Sequence, residues 1–228
     1  KTKNISFKKV LDILYKKEFI LFVVLVSILI INSNISPYFL DLYNLIDSTF
    51  LFSEKAIIAL TMTFVIIARQ IDLSVASIIA VSSVVLGYTT SLGYDTWLVL
   101  LLTLLSGTLC GAFNGAIITK FAIPSIIVTI GTMSLFRGLA YSFLEDSYYN
   151  KFPKLVGKLG GGYLYGYIPY AFLTFILLAF VFAFILHKTS VGKKIYSIGN
   201  NPDAAQYTGI AVDKYTFVLF TLNGLFSA

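Results

Sequence analysis

Residues 56–86 read AIIALTMTFVIIARQIDLSVASIIAVSSVVL, an apolar stretch interrupted only by the polar segment Arg69-Gln70-Ile71-Asp72. Without the interruption, the stretch would exceed the roughly 20 residues that a helix needs to cross a bilayer. The polar segment therefore predicts two shorter helices separated by a break. Transporters use such breaks to place backbone ends and polar side chains along a pathway. A cytoplasmic turn with a solvated Arg–Asp pair would explain the same residues.

The composition of the whole chain agrees with a membrane location. Of the 228 residues, 57% are hydrophobic and only 12% are charged, whereas a soluble domain carries about 25% charged residues. So few charges cannot cover a surface that faces water, so much of the surface must face lipid. We expect an all-α, polytopic transmembrane bundle of six to seven spans, some short or broken. The lysines lie between apolar runs, so the net charge of +6 does not indicate a nucleic-acid partner.

Apolar runs on both sides of this stretch predict further spans. The first follows a Lys-rich, weakly amphipathic segment, residues 1–17, which we expect to lie on the cytoplasmic membrane surface. Residues 18–228 are then predicted to form one transmembrane domain. With the two halves of the broken stretch included, its apolar segments are Phe19–Ile31, Ala56–Ala68, Leu73–Thr90, Trp97–Ile118, Ile123–Leu144, Pro169–Leu186 and Tyr215–Ala228.

Two of the segments that follow Phe19–Ile31 fall well short of a membrane span. Ala56–Ala68 is too short to cross alone, and Tyr215–Ala228 also falls short of the roughly 20 residues required. We therefore expect the sequence to be a fragment, truncated at its C-terminus inside a helix. The glycines between residues 157 and 166 predict a flexible outer loop.

The distribution of basic residues predicts the orientation. With the N-terminus in the cytoplasm, the cytoplasmic segments hold twelve of the seventeen basic residues. These segments are residues 1–17, the turn at 69–72, Lys120 and the loop 188–214. Cytoplasmic loops of membrane proteins carry an excess of Lys and Arg. We therefore expect a multi-pass protein with a cytoplasmic N-terminus.

Polar side chains inside the predicted spans are candidates for a substrate pathway, because unpaired polar groups are expensive in lipid. Asn114 could equally act as a hydrogen-bonding contact between helices. Arg137 could instead extend its guanidinium group to the outer interface. The candidates for the pathway are Asp72, Ser74, Asn114, Thr129, Thr132 and Arg137.

Three glycines in one predicted span are candidates for helix packing. Gly107, Gly111 and Gly115 are spaced four residues apart, so they share one face of a helix. Small residues on such a face let another helix backbone approach closely. We interpret this face as a packing surface without a chemical role.

The cytoplasmic loop 188–214 contains the signature of a short capped helix. Asn201 is a suitable N-cap, Pro202 suits the first helical position, Asp203 follows in the first turn and Gly209 can end the segment. An exposed, capped helix of about two turns is suited to docking a partner. A plain connector remains the alternative.

Several chemical signatures are missing from the sequence. It has no Gly-x-x-x-x-Gly-Lys-Ser/Thr phosphate loop, so we do not expect this chain to hydrolyse ATP through a P-loop of its own. No His, Cys and carboxylate spacing typical of a metal site occurs. The single histidine, His187, lacks a nucleophile beside it, and the single cysteine, Cys110, lies in an apolar run. We therefore expect neither catalytic residues nor a metal site.

Three blocks of the sequence resemble one family of membrane proteins. Residues 71–75, Ile-Asp-Leu-Ser-Val, resemble its Gly-Gly-Ile-Asp-Leu-Ser-Val-Gly-Ser segment, although Arg69 and Gln70 replace the usual glycines. Residues 124–138 resemble its Pro-x-Phe-Ile-Val-Thr-Leu-Gly-Thr-Met-x-x-x-Arg-Gly segment, and residues 189–205 resemble its cytoplasmic loop. The family is the membrane permease subunits of bacterial ABC importers for ribose, xylose, rhamnose and autoinducer-2.

This resemblance implies a function and a set of partners. The chain would be a permease in a bacterial cell membrane that moves a monosaccharide or similar small polyol. ATP and Mg would be bound by a partner ATPase subunit, so this chain would need no cofactor. A second permease, identical or homologous, an extracytoplasmic substrate-binding protein and membrane lipid would complete the assembly. The resemblance implies that the ATPase contacts a coupling loop containing Gly192, Tyr196, Gly199, Asn200, Pro202, Ala204 and Ala205.

Other kinds of transport protein remain possible from the sequence. A related ABC permease could carry branched-chain amino acids or nucleosides. An ion-coupled secondary transporter would also use broken helices and would need no ATPase. A membrane-embedded enzyme is the weakest alternative, because no acid, base and nucleophile converge in the sequence.

Overall fold

The computed structural model describes residues 17–144 and 148–228. Within those ranges it contains ten helices and one pair of two-residue strands, which confirms the predicted helical membrane fold. The chain divides into two compact units, residues 1–49 and 50–228. The predicted cytoplasmic surface segment, residues 1–17, lies outside the described residues except for Lys17.

The first unit contains helix α1 (Lys17–Ile35) and the start of helix α2 (Leu42–Ile67). Helix α1 is apolar around most of its circumference, and side chains such as those of Leu21 and Phe22 are exposed. A helix of this kind is stable in lipid rather than in water. Asp41 precedes α2, and its Oδ2 accepts hydrogen bonds from the backbone N–H groups of Tyr43 (3.1 Å) and Asn44 (3.4 Å). These bonds satisfy N–H groups that the first helical turn leaves unpaired.

The second unit contains the rest of α2 and all later elements. Its helices are α3 (Val75–Ser91), α4 (Thr96–Phe121), α5 (Ser125–Leu144), α6 (Lys154–Gly161), α7 (Tyr170–Lys188), α8 (Ser190–Asn200), α9 (Pro202–Tyr207) and α10 (Val212–Ser227). Its strands are β1 (Tyr163–Leu164) and β2 (Ile168–Pro169), which pair antiparallel. Helix α4 packs against both α3 and α10, and α3 also packs against α5.

Helix α2 corrects one sequence prediction. The apolar pattern predicts that Ala56–Ala68 is too short to cross a membrane, but the helix begins upstream at Leu42 and is 26 residues long. The charged residues Glu54 and Lys55 interrupt the apolar run without ending the helix, because both have high helix propensity and both are exposed. Among the described residues, four helices are long and apolar enough to span a membrane: α2, α4, α5 and α7.

The glycine-rich segment between residues 157 and 166 is also more regular than predicted. Instead of a flexible loop, it forms α6 and the β1–β2 pair. Tyr165 and Gly166, both with positive φ, form the turn between the strands, and the N–H of Tyr167 donates to the carbonyl of Leu164 (3.2 Å). Two successive positive φ angles match the twist of a tight hairpin.

The core of the second unit lies around the ends of α2 and α7. Phe64 and Val65 of α2 are buried there with Leu186 of α7, Ile195 of α8 and Phe220 of α10. The rings of Phe64 and Phe182 meet edge to face, with centroids 5.3 Å apart. This core holds helices α8 and α9 against the end of the transmembrane helices.

Candidate functional site

The predicted break is present at residues 68–74, between α2 and α3. Helix α2 ends in a Schellman-type cap, in which the N–H of Gln70 donates to the carbonyl of Val65 and that of Arg69 to Ile66, both at 3.0 Å. Arg69 adopts a left-handed conformation with φ of 59°. Glycine usually occupies this position, because a Cβ there costs about 1–2 kcal/mol. The left-handed position of this cap is therefore occupied by a residue whose backbone is strained there.

Asp72 is the centre of the break. Its side chain is only 2% exposed, although it is a carboxyl group in an apolar bundle. Its Oδ1 accepts from the backbone N–H (2.9 Å) and the hydroxyl (2.6 Å) of Ser74, and its Oδ2 accepts from the side-chain amide of Asn223 (2.8 Å). Three donors offset the cost of removing the carboxyl group from water.

The hydrogen bonds continue from Asp72 into neighbouring helices. Asn223 Oδ1 accepts from the hydroxyl of Thr61 (2.7 Å), and Ser74 Oγ accepts from the amide of Asn114 (2.8 Å). Thr61, Asp72, Ser74, Asn114 and Asn223 are all at most 3% exposed, and we call them the Asp72 cluster. They join α2, the break, α4 and α10 through directional bonds in a setting where water cannot compete.

Helix α5 satisfies the backbone of the break from the other side. The N–H of Ile71 donates to Ser125 Oγ (3.0 Å), and the hydroxyl of Thr129 lies 3.3 Å from the carbonyl oxygen of Ile71. Thr132 follows one turn later and is buried as well. The hydroxyl groups on this face of α5 thus replace hydrogen bonds that the interrupted helix cannot make for itself.

Two buried oxygens near the cluster have no hydrogen-bond partner within the described part of the chain. They are Asn114 Oδ1 and Ser77 Oγ. Ser77 lies one helical turn beyond Ser74, so it points along the same face of α3. An unsatisfied buried polar atom costs about 1–3 kcal/mol.

The structure brings some of the predicted pathway residues together and leaves one apart. Asp72, Ser74, Asn114 and Thr129 all belong to or border the cluster. Arg137 does not, because it lies on the exposed face of α5. That face also carries Gly131, Ser134 and Gly138, and a Cβ added to either glycine would have no neighbour within 4 Å.

Asn223 is the functional candidate that the sequence analysis missed. It is fully buried and bridges Asp72 and Thr61. An amide in the otherwise apolar segment Tyr215–Ala228, directly before Gly224, was the available signal. Its partner lies 151 residues away in the sequence, so no local pattern could pair the two.

The three glycines of α4 lie directly against α10. A Cβ on Gly111 would overlap the carbonyl oxygen of Phe220, and one on Gly115 would lie 3.0 Å from the Cα of Phe217. From the opposite side, a Cβ on Gly224 would overlap the carbonyl oxygen of Gly107. Backbones that approach this closely explain how Asn114 and Asn223 can reach the same cluster.

The segment 188–214, which the sequence predicts to be a cytoplasmic loop, contains two helices where one was predicted. The predicted capped helix is α9: Asn201 Oδ1 accepts from the N–H of Ala204 (3.1 Å), Pro202 is the first residue, and Gly209 has φ of 87°. The helix that was not predicted is α8, capped by the hydroxyl of Thr189. Its signal was the three-residue spacing of Gly192, Ile195 and Ile198, all buried. Short helices with so few apolar positions are easily taken for loops.

The α8–α9 segment, residues 189–207, presents one face to the protein and one outward. Gly192 and Ala205 are buried, Gly199 and Pro202 are half-buried, and Tyr196, Asn200 and Ala204 are exposed. Gly199 lies against the last turn of α2, where a Cβ would overlap the carbonyl oxygen of Ile67. The segment therefore contacts the bundle next to the break.

The remaining chemical groups form no catalytic arrangement within the described residues. His187 is exposed, and its Nδ1 lies 2.9 Å from the carbonyl oxygen of Ala183 in its own helix. Cys110 is a free thiol. No group of three or more His, Cys, Asp or Glu side chains lies close enough in the described ranges to hold a metal ion.

Comparison with known proteins identifies a family over most of the chain. Residues 44–228 match the family described as the permease component of the branched-chain amino acid transport system. The chain is 34% identical over 172 residues to the autoinducer 2 import system permease protein LsrC of Escherichia coli, which covers 75% of this chain and 50% of LsrC. It is 33% identical over 211 residues to the ribose import permease protein RbsC of Haemophilus influenzae, covering 91% of this chain and 65% of RbsC.

A third relative extends the match slightly. The chain is 32% identical over 221 residues to the autoinducer 2 import system permease protein LsrD of Klebsiella pneumoniae, covering 92% of this chain and 65% of LsrD. No solved structure matches the chain. The chain spans about half to two thirds of the length of these curated relatives. Because the family match includes the break, the glycine face and the α8–α9 segment, the chain belongs to the family of transport-system permease components.

Proposed function

We propose that the chain is the permease subunit of an ATP-driven importer that moves a monosaccharide or a similar small polyol across the bacterial cell membrane. The observation that carries this proposal is the similarity to ribose and autoinducer 2 import permeases over 75–92% of the chain. ATP and Mg are bound by partner ATPase subunits, since the sequence has no phosphate loop. The branched-chain amino acids named in the family description are an alternative that the relatives do not favour.

The exposed face of α5 is the proposed wall of the substrate pathway. Arg137 lies there within an apolar helix, and an arginine is expensive in lipid unless it faces protein or water. Ser134 adds a hydroxyl, while Gly131 and Gly138 leave open space. Guanidinium and hydroxyl groups can bind the hydroxyl groups of an uncharged sugar, and small residues leave room for its ring.

The exposed face of the α8–α9 segment is the proposed docking surface for the ATPase. Its outward side chains include those of Tyr196, Asn200 and Ala204, whereas Ile195 and Ala205 hold the segment to the bundle. Caps at Thr189 and Asn201 give the two helices fixed ends. If the ATPase moves, a rigid segment that is anchored to the bundle can pass that displacement on to the bundle, whereas a disordered loop cannot.

The orientation and the other partners complete the proposal. The excess of Lys and Arg in the segments beside α8 supports a cytoplasmic location for that segment and for the N-terminus. Two permeases, identical or homologous, would enclose the pathway between their α5 faces. A substrate-binding protein would deliver the sugar from the outer side.

A reconstitution experiment tests this function. The full-length protein would be purified with its ATPase subunits, placed in liposomes, and supplied with labelled ribose, leucine or uridine together with the matching binding protein. We expect uptake of the sugar that requires ATP and continues when ionophores remove ion gradients. Uptake of leucine or uridine instead would overturn the substrate class. Uptake that ionophores abolish and ATP depletion does not would overturn the ATP-driven mechanism.

A further inference from the structure

The α8–α9 segment is linked to the break between α2 and α3 in two separate ways, one direct and one through α10. On the first route, Gly199 of α8 lies against the carbonyl oxygen of Ile67 and is near the Cα of Ala68, the first residue of the break. A Cβ added to Gly199 would overlap the carbonyl oxygen of Ile67 and would lie 3.8 Å from the Cα of Ala68. The two backbones are already in contact at this point. Helix α8 therefore cannot move towards α2 without displacing the C-terminal end of α2.

The second route runs through α10. Helix α9 leads into α10 by a short turn in which the N–H of Ile210 donates to the carbonyl of Ala205 (3.1 Å). Asn223 of α10 then donates to Asp72 in the break (2.8 Å). Asp72 and Asn223 are buried, so water does not compete for this bond. If a movement of α9 shifts α10, the hydrogen bond between Asn223 and Asp72 therefore carries that displacement to the break.

We propose that Gly199 and Asn223 are positioning residues that fasten the break to the α8–α9 segment, so that displacement of this segment moves residues 68–74. This inference rests on the proposed function, because it assumes that an ATPase displaces the segment. It adds the route by which that displacement reaches the membrane interior. Neither residue touches substrate or nucleotide in this scheme.

The break is suited to respond to such a displacement. Arg69 already occupies a left-handed conformation that favours glycine, and α5 binds the backbone of the break through the hydroxyl groups of Ser125 and Thr129. Ile71 and Leu73 are 44% and 43% exposed, whereas Asp72 between them is buried. A small rotation of the break would therefore change the surroundings of two apolar side chains.

The geometry of the Asp72–Asn223 pair allows a swap that separates positioning from folding. In Asn223→Asp, the amide N–H that donates to Asp72 would be lost, and two carboxyl groups would face each other across one short contact. In the double variant Asp72→Asn with Asn223→Asp, the amide introduced at position 72 would donate to the carboxyl group introduced at position 223. The amide oxygen at position 72 would still accept from Ser74, and the carboxyl group at position 223 would still accept from Thr61. The swap therefore preserves every bond within the cluster with nearly unchanged volume.

A labelling experiment tests the proposal without knowledge of the substrate. Full-length protein carrying Cys110→Ala and Leu73→Cys would be assembled with its ATPase subunits in liposomes. The rate of modification of the introduced cysteine by a membrane-permeant maleimide would be measured without nucleotide and with trapped ATP. We expect the two rates to differ about fivefold or more in the parent, the lower end of usual allosteric coupling. The difference should disappear in Gly199→Ala and in Asn223→Asp and return in the swapped double variant.

Controls separate the possible failures. Gly157→Ala is a matched glycine substitution, because a Cβ there meets nothing within 4 Å, and it should leave the nucleotide response unchanged. Copurification with the ATPase shows that each variant is folded and assembled. If the parent responds to ATP and Gly199→Ala and Asn223→Asp respond equally, the positioning role is wrong while the proposed function stands. If the parent binds no ATPase, the proposed function itself fails.

Discussion

The carboxyl group of Asp72 lies where four segments of the chain meet. Ser74 and Asn223 donate to it directly, and Thr61 and Asn114 bind those two donors in turn. A buried carboxyl group without such donors would cost several kcal/mol. The amides and hydroxyls are thus matched to this one acceptor, and each has a defined direction. Such matching favours one arrangement of the break over its alternatives.

Arg69 gives a prediction at the scale of one residue. Its φ of 59° lies in the left-handed region, where the presence of a Cβ costs about 1–2 kcal/mol. Arg69→Gly removes that strain, although glycine loses about 0.5–1 kcal/mol more backbone entropy on folding. We expect a net gain of about 0.5–1 kcal/mol in the free energy of unfolding, measured by thermal or denaturant unfolding in detergent.

Arg69→Ala is the matched control for this prediction. It removes the same exposed side chain but keeps the Cβ, so we expect no gain in stability. An equal gain in both variants would show that loss of the arginine charge, rather than relief of backbone strain, is responsible.

At the scale of elements, the contact between α4 and α10 gives the second prediction. A Cβ at Gly111 overlaps the carbonyl oxygen of Phe220, which belongs to a backbone and cannot rotate away. Gly111→Ala should lower the free energy of unfolding by about 1–3 kcal/mol, the usual cost of overpacking. Gly131→Ala in α5 is the control, because its Cβ meets nothing and alanine favours a helix by about 1 kcal/mol. Equal stability of the two variants would contradict the close packing of α4 and α10.

The cap of α9 gives the third prediction. Asn201→Ala removes the acceptor for the N–H of Ala204 and should destabilise the helix start by about 1 kcal/mol. Amide hydrogen exchange at Ala204 should accelerate by about fivefold, the Boltzmann factor for that energy. Ser197→Ala, which removes an exposed hydroxyl bonded within α8, should leave this exchange unchanged. An unchanged rate in Asn201→Ala would mean that tertiary contacts, not the cap, hold the start of α9.

Local patterns in the sequence predicted those elements that local chemistry determines. The polar break at Arg69–Asp72, the shared face of Gly107 and Gly111, and the cap at Asn201 all depend on residues within one or two helical turns. The length of α2 was missed because a hydropathy pattern stops at Glu54 and Lys55, whereas a helix does not. The pairing of Asp72 with Asn223 was missed because it joins residues far apart in the chain, and only the close α4–α10 contact brings them together.

At the scale of the whole molecule, α5 separates two environments. One face carries Ser125, Thr129 and Thr132 into the protein, where the first two bind the break. The opposite face presents Ser134 and Arg137 outward. Since a charged guanidinium group is unfavourable in lipid, the outward face requires water or a protein partner. Polar groups on both faces of α5 support its proposed position between the protein interior and an aqueous pathway.

The two faces of α5 give the last prediction. In full-length protein assembled with its partners and carrying Cys110→Ala, Ser134→Cys should react readily with a small membrane-impermeant thiol reagent if its face is, as proposed, the wall of the aqueous pathway. Thr129→Cys should react slowly, because the Thr129 side chain is fully buried. Substrate should slow the reaction of the cysteine at position 134 and leave that at position 129 unchanged. If Ser134→Cys reacts only with a membrane-permeant reagent, its face contacts lipid, and the pathway must be assigned to another helix.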